Sequence, residues 1–341
     1  MEGQVINFIN KACGLKSTNR YFPGGQPVSL NRELLRSHFG SVKDGRYSEY
    51  SLAFKADGKR ALLVIIKLQD GPKAFLLFRD LSIETLLVPT LPQTCVGSCF
   101  DTELVPVGKS GERSIFIFDT ICIENHSVRD LYYPLRVEIA RRFVAQQTGA
   151  DTGFSAEPGE CPSNFINALV RNFAPGTHLS TKKIYRLDSM IQRRNMTPQL
   201  EGTDGFVFTD NFSAYNARDK VGIFKWKPLE EITVDFAVTD LHGTETLTEL
   251  PPEYCCYQVK KGVQGLWVED KFVSKITVEP GVHVRSGSIY ECAWTGKEWN
   301  LILERSDKTH SNSFKTFIKT LENLEEGIGL EEVEKRIQFG R

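Results

Sequence analysis

The chain changes texture after Pro228, and that change limits its architecture more than any other feature. Before it, long apolar runs alternate with helical stretches; after it, short β runs recur with turn signals between them. In the first part, Ile, Val, Leu and Phe predict strands over 60–68, 73–79, 114–124, 205–209 and 222–227. Asp70-Gly71-Pro72 marks a hairpin turn between the first two. Apolar stripes predict a helix over 133–147, through Leu135, Ile139 and Phe143, and another over 163–173, opened by Pro162-Ser163. Bunched strands with interleaved helices indicate an α+β fold with antiparallel sheets rather than a doubly wound parallel sheet.

Beyond Pro228, strands are expected over 232–238, 257–260, 265–268, 275–279, 288–294 and 299–303. Gly243-Thr244, Lys261-Gly262, Glu279-Pro280-Gly281 and Thr295-Gly296 punctuate them, the spacing of a small all-β barrel. The end is helical. Phe314, Phe317, Ile318, Leu321 and Leu324 form one stripe, Gly327 and Gly329 interrupt it, and Leu330, Val333 and Ile337 form a second. The domains expected are therefore 1–228, 229–310 and a tail, 311–341, whose apolar stripe should pack back on the body.

Composition narrows the function. With 341 residues the chain is long enough for about two domains and a large core, so it needs no disulfide staples. Its formal net charge is −1, which excludes a globally basic nucleic-acid binder; any polyanion site must be a local patch. The eight cysteines lack paired zinc spacing and read as reduced, buried thiols. The start has no basic-then-apolar leader, and the longest apolar stretch, 61–66, is far short of the roughly 20 residues that span a bilayer. Neither secretion nor a membrane role is expected.

Five polar clusters sit at the ends of predicted strands. The first is Phe54-Lys55-Ala56-Asp57-Gly58-Lys59-Arg60. A lysine attacks an electrophile only as the free amine, and desolvation or neighbouring cations favour that form. Alone, a lysine beside an Asp-Gly turn is usually just solvated. Next come Phe100-Asp101-Thr102-Glu103-Leu104, a carboxylate in an apolar frame, and Ile115-Phe116-Ile117-Phe118-Asp119, whose last aromatic could stack on a base. Glu201-Gly202-Thr203-Asp204-Gly205 is an acidic entry to a strand. In Phe224-Lys225-Trp226-Lys227-Pro228, alternation points both lysines to one strand face. Glu304-Arg305-Ser306-Asp307-Lys308 forms a further charged knot past the barrel.

Taken in order, these clusters resemble the covalent nucleotidyltransferase superfamily of polynucleotide ligases and mRNA capping enzymes. Lys-x-Asp-Gly by itself is weak; six collinear matches from Lys55 to Lys308 are not. Within the superfamily the chain resembles the eukaryotic-type mRNA capping guanylyltransferases. Phe22-Pro23-Gly24-Gly25-Gln26-Pro27-Val28-Ser29 resembles a segment before the nucleophile that ligases lack. Lys225-Trp226-Lys227-Pro228 followed by Thr233-Val234-Asp235-Phe236, and Trp299 ahead of Arg305-Ser306-Asp307-Lys308 and Asn312, resemble the capping versions of the later motifs.

The resemblance implies a ligase-type (ATP-grasp-like) nucleotidyltransferase domain and a C-terminal OB-fold that closes over the nucleotide, ahead of the helical tail read from periodicity. It implies Lys55 as the residue that becomes linked to GMP, with Lys225 and Lys227 on the α-phosphate. Asp204 would sit by the phosphate and the metal, a divalent cation (Mg²⁺ or Mn²⁺). Asp57, Arg60, Arg79, Glu103 and Phe118 would bind the nucleotide, Phe118 by stacking on guanine. Arg305, Asp307 and Lys308 would reach the outgoing phosphates. The substrates would be GTP and 5′-diphosphate RNA, with a separate RNA triphosphatase and the RNA polymerase II tail as partners. The location would be nuclear in a cellular eukaryote and cytoplasmic for a virus.

Four positions depart from the family pattern: Ala56, Lys59, Thr102 and Leu303. Thr102 stands where glycine is usual, which questions the backbone around Glu103. Between Thr181 and Lys227 there are nine Lys/Arg against five Asp/Glu, a local excess that suits RNA or a merely solvated face. An ATP-dependent polynucleotide ligase and a non-catalytic nucleotide- or RNA-binding scaffold are the alternatives. The intact polar set argues against the second.

Overall fold

The apolar run Lys59–Leu68 becomes an inner strand of an eight-stranded sheet. A computed structural model describes residues 1–39, 50–107, 111–148, 170–187, 203–215, 222–240, 263–277 and 284–339. The chain forms two compact units. One comprises Met1–Leu30, Leu35–Trp226 and Glu334–Arg341; the other comprises Asn31–Leu34 and Lys227–Val333.

In the first unit the larger sheet runs in the order Ile83–Leu86, Gly71–Phe78, Lys59–Leu68, Ser98–Val107, Glu112–Ile123, Thr177–Thr181 and Val170–Ala174. The short strand His126–Ser127 pairs with Glu112–Ile123. Pairing is antiparallel except between Thr177–Thr181 and Glu112–Ile123. Because side chains alternate along a strand, each face has its own partner. Ala61, Leu63, Ile65, Ile115, Ile117 and Leu179 form a core with Ala140, Phe143 and Val144 of helix Tyr133–Thr148. Leu62, Val64 and Ile66 pack instead with Val5, Ile9 and Cys13 at the N-terminal helix Glu2–Ala12. On that second face Leu62 is preceded, two residues earlier, by Arg60, where the apolar cover gives way to charge. The smaller sheet has the order Val28–Ser29, Ile223–Trp226, Thr203–Asp210, Tyr50–Ala56 and Tyr185–Arg186.

Two helix expectations require correction. Residues 170–173 belong to the strand Val170–Ala174, while 163–169 lie outside the described residues. Pro175-Gly176, with Gly176 at φ 63°, instead makes a turn into Thr177–Thr181. In helix Tyr133–Thr148 the buried stripe is Arg136, Val137, Ala140, Phe143 and Val144, and Leu135 is 51% exposed. The phase is shifted because Arg136 sits inside. Its guanidinium bonds both oxygens of Asp119, at 2.7 and 3.0 Å, and the Leu131 carbonyl at 2.6 Å. Burial pushes the Asp119 carboxyl up despite the opposing pull of Arg136.

The second unit holds an antiparallel sheet in the order Lys271–Thr277, Val263–Val268, Thr233–Asp240, Ile289–Trp294 and Trp299–Glu304. It bends into a nearly closed barrel around Val234, Phe236, Leu266, Cys292 and Trp299. Phe317 and Leu321 of helix Phe314–Glu326 enter the same core. Each such side chain contributes about 1.5–3 kcal/mol by burial. Ser313 caps this helix by accepting from the Thr316 N–H, and Gly327 ends it in the left-handed conformation. The expected strand over 257–260 lies outside the described residues. Cys13, Cys95, Cys99, Cys122 and Cys292 are free and buried. No helix among the described residues is long and apolar enough to cross a membrane.

Candidate active site

Lys55 lies near the end of strand Tyr50–Ala56, where the burial of the strand begins to relax. Thr203 pairs with Ala56 and Phe206 with Phe54, so Asp204 and Gly205 together oppose Lys55 alone. A bulge of this kind re-aims a side chain. Here it brings the Asp204 carboxylate to Lys55 Nζ, with hydrogen bonds of 2.6 and 2.9 Å. Gly58, in the turn after Lys55, is required by close approach: a Cβ there would lie 2.4 Å from the Leu104 carbonyl oxygen and 2.7 Å from Glu103 Cγ.

A second bulge presents Phe118. Asp101 pairs with Asp119 and Thr102 with Ile117, leaving Phe118 as the extra residue. Tyr133 Oη donates to the Phe118 carbonyl at 3.1 Å and holds that bend in place. Arg60 Cζ and Lys182 Nζ approach the Phe118 ring at 5.6 and 5.0 Å from its centroid. Lys182 also donates to Glu103 at 3.3 Å. Burial lowers the Lys182 pKa, against the pull of Glu103, and the charge of Lys55 lowers it further.

Arg60 is gripped by Asp101, Nε to Oδ1 at 2.9 Å and Nη2 to Oδ2 at 2.5 Å. Tyr215 Oη donates to the same Asp101 oxygen at 2.6 Å. Burial by itself would lower the Arg60 pKa, but Asp101 outweighs it and holds the guanidinium above the ordinary arginine value. Thr102 fits this strand without glycine's freedom, since its φ is not positive, and its hydroxyl donates to the Ala61 carbonyl at 2.7 Å. The concern about the backbone at Glu103 is thereby met.

The structure therefore assembles Lys55, Asp204, Arg60, Glu103 and Phe118. Arg79 is exposed and donates to Gln26 Oε1 at 2.9 Å, and Asp57 is exposed in its turn. Lys225 is half-buried, between the buried Phe224 and Trp226, as alternation requires. Three members, Asp101, Lys182 and Tyr215, take no assigned role from the sequence motifs. Asp101 was discoverable, because it lies two residues before Glu103 and so shares its strand face. Lys182 had no signal beyond the local basic excess, and Tyr215 had none. Of the other cations in that excess, Arg193, Arg194, Arg218 and Lys220 lie outside the described residues.

The remaining expected residues lie in the second unit. Lys227 Nζ donates to the Glu231 carbonyl at 3.4 Å. Arg305 bonds both oxygens of Asp307 at 2.9 Å, and its Nη1 bonds Asp235 at 3.1 Å and Glu291 at 3.3 Å. Lys308 also pairs with Asp235. The hydrogen bond from Arg305 draws the Asp307 carboxyl down to about 2. Among the described residues no three His, Cys, Asp or Glu side chains gather as a metal site.

The family model for the mRNA capping enzyme catalytic domain matches residues 2–229, and that for the mRNA capping enzyme C-terminal domain matches 231–333. The mRNA-capping enzyme subunit alpha of Schizosaccharomyces pombe is 23% identical over 94% of this chain and 81% of its own length. The Saccharomyces cerevisiae protein of the same name is 24% identical, over 96% and 81%. Among solved structures, the ATP-dependent DNA ligase of bacteriophage T7 in complex with ATP is 13% identical over 83% of this chain and 98% of its own, with a TM-score of 0.40. Mycobacterial DNA ligase D complexed with ATP and MES is 12% identical, over 84% and 96%, with a TM-score of 0.42.

Proposed function

Because the chain belongs to the mRNA capping enzyme family, we propose that it transfers GMP from GTP to RNA through a covalent bond to Lys55. The observation that carries this reading is the Lys55–Asp204 pair, set by a bulge and near enough to Lys182 for their charges to interact. Attack on phosphorus requires Lys55 as the free amine, whose lone pair is the nucleophile. The free amine then forms an N–P bond to the α-phosphorus of GTP while the bond to the bridging oxygen breaks and pyrophosphate leaves. In the second step, a terminal phosphate oxygen of 5′-diphosphate RNA attacks the same phosphorus. The N–P bond breaks, GpppRNA forms and Lys55 is restored. Covalent catalysis divides one exchange into two similar ones.

Phosphoryl transfer depends mainly on positioned cations, and we assign Lys225 and Lys227 to the α-phosphate. Arg60 and Arg79 hold the ribose and phosphate side, Glu103 holds the ribose, and Asp57 also binds the nucleotide. A nucleobase stacked on Phe118 would meet the Lys182 ammonium, a pure donor. Guanine offers acceptors O6 and N7, where adenine offers a donor at N6, so the contact favours GTP over ATP. A divalent cation, Mg²⁺ or Mn²⁺, suits the hard oxygen of Asp204, since such ions are commonly held by one or two carboxylates together with substrate phosphates. When bound it would neutralise phosphate charge.

We assign Arg305, Asp307 and Lys308 to the first step, in which pyrophosphate departs. The boundaries 1–228, 229–310 and 311–341 then separate the nucleotidyltransferase, OB-fold and tail. A 5′-diphosphate acceptor needs a prior triphosphatase, and relatives named as a subunit fit a chain that works beside a separate one. Docking on the RNA polymerase II tail and a nuclear location belong to the same reading. Incubation with α-labelled GTP or ATP and a divalent cation, followed by denaturing electrophoresis, tests it. Label retained from GTP alone is expected. Label from ATP alone would make the chain a ligase, and no label would leave a binding scaffold.

A further inference from the structure

The segment Phe22-Pro23-Gly24-Gly25-Gln26 has no part in the two-step chemistry above, yet it touches both arginines beside the site. The Gly25 carbonyl accepts from Arg60 Nη1 at 2.5 Å, and the Phe22 ring centroid lies 5.5 Å from Arg60 Cζ, as near as that of Phe118 at 5.6 Å. Gln26 Oε1 accepts from Arg79 Nη2 at 2.9 Å, while Gln26 Nε2 donates back to the Gly24 carbonyl at 3.3 Å. Gly24 is buried in this clasp. A Cβ at Gly24 would lie 2.5 Å from Phe22 Cε1 and 2.7 Å from Arg60 Nη2. The segment also has a firm base. Asn19 Nδ2 donates to the Tyr21 carbonyl at 2.7 Å and to Asn10 Oδ1 at 3.2 Å, and both asparagines are buried.

We propose that residues 22–26 are a positioning strap that presents Arg60 and Arg79 to the nucleotide; the nucleotide's identity rests on the capping reading. A guanidinium has five N–H donors. Asp101 takes two from Arg60 and Gly25 takes one, which leaves one N–H on each terminal nitrogen with no partner among the described residues. Adjacent N–H groups of this kind suit the oxygens of a nucleotide. A long side chain left loose would lose rotamer freedom on binding; one already clasped loses less, and affinity rises accordingly. Gly24 is the position where a single methyl group would force the clasp open.

The test is equilibrium binding of GTP to the full chain without divalent cation, so that no chemistry intervenes, in two mutant cycles. Gly24→Ala should weaken binding about 10-fold in the native background and not at all in Arg60→Ala, because interacting residues are non-additive in such a cycle. Gln26→Ala should weaken it by roughly 3-fold or more, and that loss should vanish in Arg79→Ala. Gln26 is only half-buried, so its cycle stands even where Gly24→Ala fails to fold. Losses that persist unchanged in the arginine-less backgrounds would overturn the strap, since a merely structural defect would be additive. Wild-type protein that binds ATP and not GTP would overturn the capping reading alone, and the same cycles run with ATP would then judge the strap. Wild-type protein that binds neither would overturn both.

Discussion

In the first unit, Asp101 is fully buried and holds an Arg60 side chain that is 12% exposed; in the second, Asp307 is 64% exposed and holds an Arg305 side chain at 23%. The two arginine–carboxylate pairs use the same bidentate geometry, Nε and Nη2 on the two oxygens. Their surroundings assign them different work. Arg60 is walled in by Phe22, Phe118, Gly25 and Tyr215-supported Asp101, so its direction is set before any nucleotide arrives. Arg305 and Lys308 share Asp235 as a partner, with Glu291 and Asp307 close by. Serving a phosphate would oblige them to exchange those carboxylates for it. One set of cations is built to stay, the other to change partners.

The sharpest way to break this contrast is to remove the nucleophile. Lys55→Arg retains a cation for Asp204, so the fold should survive, but a guanidinium stays protonated and offers no nucleophilic lone pair. Covalent GMP should fall below detection by electrophoresis, with the circular dichroism spectrum unchanged. Label persisting on the arginine variant would move the nucleophile elsewhere, with Lys59 the first candidate.

The buried pair comes next. Asp101→Asn leaves the Arg60 charge enclosed without its counterion, at a cost of about 3–5 kcal/mol. Denaturant unfolding of the full chain should show it. Asp307→Asn, on the surface, should cost less than about 1 kcal/mol. Similar losses at the two sites would erase the distinction between them.

Asp307→Ala or Lys308→Ala should then reduce GMP attachment on the order of 10²-fold, as expected when a positioning contact is lost. Transfer of GMP from preformed enzyme–GMP to 5′-diphosphate RNA should remain much nearer wild type, because no pyrophosphate leaves in that step. Equal loss in both steps would place these residues in a shared structural role.

The smallest effect is on acid stability. The Asp307 carboxyl is held down to about 2 from an ordinary 3.8. Its contribution is therefore fully present above about pH 3.8 and is lost as pH falls through about 2. Acid titrations of wild type and Asp307→Asn should diverge slightly above pH 3.8 and converge near pH 2, the exposed pair being screened by solvent.

Much of this was legible in the chain. Alternating and helical periodicities marked the hairpin over 60–79, the barrel strands and the tail helices, because those elements bury one regular face against one core. Lys55, Glu103, Phe118 and Asp204 could be picked out because their order along the chain is distinctive. Other features could not. The strands Tyr50–Ala56 and Ser98–Val107 and the helix Glu2–Ala12 passed unnoticed, since each mixes polar groups into its inward face. What the sequence determined by itself was periodicity, turn chemistry and the supply of reactive side chains, all of them local or collinear properties. Only the tertiary structure decided that Asp204 and Gly205 would together oppose Lys55, that Phe118 would be the extra residue of its bulge, and that Arg136 belongs inside. Bulges and buried ion pairs depend on partners distant in sequence, such as Asp204 for Lys55, Asp101 for Arg60 and Asp119 for Arg136. A charge is tolerated in the interior only when folding delivers its counterion there.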